Sequence, residues 1–171
     1  MDEIRRSPQE KGCLHLIVRR PAVKQREVLD EGWLDLTNGL VGDNWFTRGS
    51  RKTVDGAADP LMQLNIMNSR VIALVAQHAQ RWTLGGDQLY IDLDLSAENL
   101  PFGTLLTVGS AIIEVTPAPH TGCKKFAERF GLEAMKFVNS GLGKQLNFRG
   151  INARVVQAGK IRVHDMVTKQ G

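Results

Sequence analysis

The chain has 171 residues, 42% of them apolar and 23% charged, enough for one domain with its own core and too few for two of ordinary size. Twenty-two Lys and Arg against eighteen Asp and Glu leave a formal charge of +4, a modest excess that does not select nucleic acid as a partner. No stretch approaches the roughly 18 consecutive apolar residues of a membrane span, and internal repeats are absent.

The charge is unevenly placed. From His120 to Gly171 there are ten basic and three acidic residues, net +7, whereas Met1 to Pro119 is net −3. The opening MDEIRRSPQEKG has no apolar run of the kind that directs secretion, so a cytoplasmic protein with Cys13 and Cys123 reduced is expected. Residues 1–12 read as a flexible N-terminus and 13–168 as a single domain.

In chain order, Leu14 to Val18 is β-rich and ends at Pro21, which predicts a first strand. The segment from Thr37 to Pro60 has no sustained periodicity. Its part from Gly42 to Pro60 is expected to follow a mobile or irregular path beside Cys123, since long loops without their own structure are commonly functional. Asn68-Ser69 can cap a helix over Arg70 to Arg81, where Val71, Leu74, Val75 and His78 recur at helical spacing. Leu89 to Leu95 alternates strictly and predicts a half-buried strand. Leu105–Val108 and Ala111–Thr116 flank Gly109-Ser110, the chemistry of a hairpin turn. A helical pattern begins at Cys123, with Phe126 and Phe130 four apart. It breaks at Gly131, resumes through Leu132, Met135 and Val138, and stops over Asn139–Gly143. Ile151–Val156 and Lys160–Val167 then flank Ala158-Gly159 like a second hairpin. The fold class predicted is mainly β with peripheral helices, a closed or nearly closed β-barrel.

Cys123 follows Pro119-His120-Thr121-Gly122 at a strand-to-helix junction and precedes Lys124 and Lys125. Such a setting favours a thiolate, which can act as a nucleophile or a soft-metal ligand. The alternative is a small buried hydrophobe filling a barrel corner. Cys13 has no basic cluster and reads as structural. Neither cysteine belongs to a CxxC pair and the four histidines give no ligand spacing except His120 to Cys123; two ligands do not make a site, so zinc is not indicated. No GxxxxGK[ST] or GxGxxG follows a strand, and no lysine stands in a recognisable Schiff-base context, so pyridoxal phosphate is not expected. Arg149, Asn152 and Arg154 place two guanidiniums and an amide at a strand start, a pattern suited to an anion.

GLVGDNW at Gly39–Trp45, AENLPFGTLLTVGSAIIEVT at Ala97–Thr116, PHTGCKKF at Pro119–Phe126 and RGINARVV at Arg149–Val156 together resemble the MOSC family, named for the C-terminal domain of molybdenum cofactor sulfurases. The likeness runs from about Leu14 to Val167 and is to the short stand-alone bacterial members. It implies a MOSC-like barrel with Cys123 as molybdenum ligand and catalytic residue. Thr121 and Gly122 would shape its loop, and Asn99, Arg149, Asn152, Arg154 and Arg70 would face the molybdopterin and its phosphate. The activity implied is a molybdenum-cofactor oxidoreductase reducing N-hydroxylated small molecules, with electrons from a separate reductase. A second reading is a sulfur carrier holding a Cys123 persulfide, supplied by a cysteine desulfurase, for metal-sulfur cluster or cofactor assembly. A third is a non-catalytic module that binds an anionic ligand.

Overall fold

Alternating apolar residues set the centre of the molecule. The computed structural model describes residues 1–171. It begins with a short helix α1 (Asp2–Arg5) and the strand β1 (Lys11–Arg19), followed by β2 (Glu27–Leu29), β3 (Glu31–Asp35) and β4 (Gly39–Leu40). A four-residue helix α2 (Trp45–Arg48) precedes β5 (Leu64–Asn68), and α3 (Ser69–Ala76) leads through a 3-10 helix over Ala79–Gly85 to β6 (Leu89–Asp92). Next come the hairpin of β7 (Leu105–Val108) and β8 (Ala111–Val115), and the helices α4 (Lys124–Phe130), α5 (Leu132–Asn139) and α6 (Gly141–Gln145). The chain ends with β9 (Ile151–Gln157), β10 (Gly159–Arg162) and β11 (Met166–Lys169).

Seven strands close into a barrel in the order β1, β6, β5, β9, β8, β7, β11, and β11 returns to β1 through Lys11 with Thr168, Gly12 with Val167 and Cys13 with Met166. β5 and β6 are parallel and the other neighbours in the ring antiparallel. Closure leaves the ring without a free edge. β2 extends β1 outside the ring, while β10, β3 and β4 form a separate small sheet. No helix is long and apolar enough to cross a membrane.

Two apolar layers result from the strands' period of two. Inward residues such as Leu14, Ile66, Ile91, Leu106, Ile113 and Ala153 belong to a buried cluster of 21 that fills the barrel. Outward residues Val18, Met67 and Tyr90 meet Val71, Ile72, Phe126, Val138 and Phe148 in a second cluster of ten beneath the helices. That second layer corrects the half-buried strand expected at Leu89–Leu95. Leu89, Ile91, Leu93 and Leu95 do face the barrel, but Tyr90 is fully buried on the other side, its hydroxyl donating to the Trp82 carbonyl at 2.8 Å.

Other expectations meet the structure as follows. The hairpin around Gly109-Ser110 forms where the turn chemistry placed it. Asn68 caps α3, its side chain accepting from the Arg70 and Val71 amides. The helix ends at Ala76 rather than Arg81, because Gln77 turns to φ +63, and the buried face is Val71, Ile72 and Ala76 with Leu74 exposed. Asn139 stops α5, but Ser140 then caps α6 by accepting from the Gly143 amide. The second hairpin does not form. Both edges of β9 are taken by β5 and β8, so β10 joins β3 instead, and a turn with His164 at φ +76 divides β10 from β11. Residues 1–12, expected to stand outside the domain, are packed on it: Ile4 is buried, Ser7 accepts a hydrogen bond from Asn68, and β1 starts at Lys11.

Candidate functional site

A cavity of about 520 Å³ opens between the end of β1, the loop after β4, the 3-10 helix and the start of α4. Two buried ion pairs form its floor. Arg20, the residue after β1, lies on Asp43, with Nε to Oδ1 at 2.9 Å and Nη2 to Oδ2 at 2.8 Å. Asp43 also accepts from the Trp45 amide and from Gln88 Nε2, which explains the GLVGDNW stretch: its aspartate is the anchor that gathers the loop. Arg20 Nη1 donates to Asn65 Oδ1 and the Gly86 carbonyl, and Asn65 in turn donates to Asn152 Oδ1.

The second pair is Arg149 on Asp87, Nη1 donating to both carboxylate oxygens at 2.9 and 2.8 Å. Arg149 Nη2 donates to the Gly85 carbonyl, and its guanidinium carbon sits 5.0 Å above the centre of the Phe126 ring. His120 Nε2 is 2.7 Å from Asp87 Oδ1. Burial works to raise the Asp87 carboxyl, but Arg149 and then His120 outweigh it and hold it below the usual carboxylate range. Burial and then Arg149 hold His120 below its ordinary value against the pull of Asp87. His120 is therefore neutral at neutral pH, and its Nε2 carries the proton that an ionised carboxylate can only accept. Gly150 makes this placement possible. It turns the chain at φ +116 from Arg149 into β9, and a side chain there would run into the Ile66 carbonyl oxygen.

Above the floor the lining is cationic. Lys24, Arg26, Arg48, Lys125 and Arg129 all reach the cavity and none has a carboxylate partner. Burial, then Arg129 and Arg20, lower the Arg26 pKa, and burial, then Arg20, lower that of Arg48.

Cys123 stands on the same wall and is exposed. The buried-hydrophobe alternative for this residue is thereby excluded. It is the residue before α4, its carbonyl accepting from the Phe126 and Ala127 amides. The loop in front is pinned at Gly122, which exchanges two hydrogen bonds with the Asn139 side chain; Thr121 is exposed beside it and lies outside the lining. Asn44 and Arg48 bring the irregular 42–60 segment to the cavity that holds Cys123, as expected from its composition. Cys13 is half-buried in β1, where burial and then Asp92 and Asp165 push its thiol up.

Of the other residues expected here, Arg149 lines the cavity and Asn152 braces it through Asn65. Three lie elsewhere, each held by a partner the sequence did not reveal. Asn99 is buried under the N-terminal segment, donating to the Gln9 and Asp94 carbonyls. Arg154 is on the outer face of β9, paired with Glu114 of β8. Arg70 pairs with Asp92 and donates to the Glu3 carbonyl. Sequence reasoning missed Arg20, Asp43, Arg26, Arg48 and Arg129. The signal available was the tight GLVGD turn, since a lone aspartate after two glycines needs a partner to be buried.

No three His, Cys, Asp or Glu side chains converge on one point, so a metal at Cys123 would have fewer than three such protein ligands and would bring the rest with it. The donor set therefore suits a metal carried by an anionic organic cofactor. No protein-family model and no curated protein matches the chain in sequence. Among solved structures it is similar to the YuaD protein from Bacillus subtilis, with TM-score 0.67 and 16% identity over 92% of this chain and 94% of that one. It is also similar to YiiM from Escherichia coli, with TM-score 0.59 and 17% identity over 93% of this chain and 70% of that one. YiiM from Geobacillus stearothermophilus gives TM-score 0.56 and 13% identity over 94% and 73%. YiiM is a MOSC-domain protein. The fold is MOSC-like. At these identities the likeness reaches the architecture: a closed seven-stranded mixed barrel with helices outside it.

Proposed function

We propose that this MOSC-like protein binds the molybdenum cofactor and works as an oxidoreductase on N-hydroxylated compounds. The observation that supports this reading best is the conjunction in one cavity of an exposed thiol, Cys123, with a guanidinium-rich lining. Thiolate is a soft-metal ligand, and arginine binds phosphate bidentately. The bound cofactor would supply two-electron redox chemistry at its metal. The chain's own groups would hold and orient it: Cys123 would offer the thiolate, and Arg26, Arg48 and Arg129 would face the phosphate. Arg20 and Arg149 position this wall through Asp43 and Asp87. Electrons come from a separate reductase on this reading.

A second reading rests on the exposure of Cys123: an open thiol can accept the outer sulfur of a donor persulfide and release the donor thiol, making the protein a sulfur carrier. One preparation tests both. Protein made in a cofactor-competent host is analysed for molybdenum and for sulfane sulfur, with Cys123→Ser alongside. Near-stoichiometric molybdenum, lost in the variant, together with reductase-dependent reduction of an N-hydroxylated base, supports the first. Absence of molybdenum with an extra 32 Da on Cys123 supports the second.

A further inference from the structure

Two of the cavity's guanidiniums, neither in an ion pair, reach over the same glycine. A Cβ on Gly86 would lie 3.2 Å from Arg129 Nη1 and 3.8 Å from Arg26 Nη2. Gly86 itself holds φ +87, so bare backbone is left beneath both groups. Each is tethered by a carbonyl, Arg129 Nη1 to Leu84 at 2.9 Å and Arg26 Nη1 to Gln25 at 2.6 Å. Like charges held this way repel, and neither guanidinium forms an ion pair with a carboxylate.

Unmade hydrogen bonds gather at the same place. Four buried side-chain polar atoms in the protein have no partner, and three of them, Arg26 Nε, Asn44 Oδ1 and Arg149 Nε, belong to residues lining the cavity. The Arg149 side chain is only 8% exposed. Of those three atoms, Arg26 Nε and Arg149 Nε are donors, the kind of group an anion satisfies, and buried donors left unpaired are costly; Asn44 Oδ1 is an acceptor and adds nothing towards an anion.

The lining also exceeds what one phosphate neutralises. Glu128 is its single carboxylate against the five cations without an ion pair, whereas a phosphomonoester carries about −1.5 to −2 charges near pH 7. We infer that the cavity is a diphosphate site, in which Arg26 and Arg129 grip one phosphoryl group above Gly86 and the remaining cations meet the other. This deepens the molybdenum reading by naming the charge of the ligand, whether the diphosphate belongs to the cofactor or to a substrate, and its test requires no metal.

Calorimetric titration of the full chain with inorganic pyrophosphate and, separately, inorganic phosphate reads the proposal. Pyrophosphate should bind once per chain and at least tenfold more tightly than phosphate, with the difference shrinking as salt rises. Arg26→Gln and Arg129→Gln should each weaken pyrophosphate at least tenfold, while Arg154→Gln, outside the cavity, leaves it unchanged. Arg26→Lys and Arg129→Lys, with melting curves matching the parent, separate lost contacts from lost folding and should recover part of the affinity. Equal affinity for the two anions, two phosphates binding independently, or indifference to both substitutions would overturn it. Molybdenum content is measured in parallel. Pyrophosphate binding in a protein that never holds molybdenum leaves the diphosphate site standing and removes the cofactor reading; molybdenum retention without a preference for pyrophosphate does the reverse. A nucleoside monophosphate released with the metal on mild acid hydrolysis places the diphosphate in the cofactor, and molybdenum without nucleotide places it in the substrate.

Discussion

On the cavity floor Arg20 and Arg149 commit their guanidiniums to the buried carboxylates of Asp43 and Asp87, whereas on the rim Arg26, Arg48 and Arg129 have only backbone carbonyls or solvent. The same side chain does two jobs. A buried arginine with a bidentate partner fixes geometry and leaves little net charge; a rim arginine without one leaves its field for an incoming anion. Residue type alone therefore does not separate an arginine that fixes geometry from one whose charge is uncommitted, and the pairing state does.

Breaking the floor should have the largest effect. Asp87→Ala strands Arg149 and deprives His120 of its partner, so a loss of about 3–5 kcal/mol in denaturant unfolding is expected, as for other buried pairs with one member removed. A smaller loss should follow acidification. His120 is held below its ordinary pKa, so the unfolded chain binds that proton first and stability declines from about pH 6.5 downward until the folded value is reached. Asp87 is held low, so its contribution is complete above about pH 4 and goes only as pH falls through its lower folded value. Melting temperatures from pH 8 to pH 5 should fall less steeply for His120→Gln than for the parent. On the rim the sign reverses: Arg48→Gln relieves like-charge repulsion and should raise stability in low salt by up to about 0.5 kcal/mol, an increase erased in high salt. Cys123→Ser should be the smallest of all, within about 0.5 kcal/mol of the parent in unfolding, because the side chain is exposed and has no partner to lose.

Much of the barrel was readable because its signal is local. The alternation of Leu105–Val108 and Ala111–Val115 and the Gly109-Ser110 turn lie within a dozen residues. The pairing of β10 is not legible locally, because its partner β3 is more than 120 residues away and only the closed ring shows that both edges of β9 are occupied. The same contrast runs through the site. Cys123 was found from its immediate neighbours, but Arg20 and Asp43 are 23 positions apart and each looked like an ordinary polar residue. By sequence Arg154 is as suitable for an anion as Arg149 is, and the family resemblance adds Arg70. Asp92 and Glu114 claim Arg70 and Arg154 on the barrel's outer surface, and only Arg149, carried inward ahead of Gly150, reaches the cavity.

The seal of the ring has a consequence for how the chain reaches this shape. β1, near the beginning, is joined to β11, near the end, by pairs such as Lys11 with Thr168, so the last contacts to become available span almost the whole sequence. Such non-local closure slows folding. On a ribosome, strands β1 and β7 wait with unpaired edges until β11 has emerged. Through that interval the nascent chain presents two adhesive borders, and the final strand is what makes it safe from its neighbours.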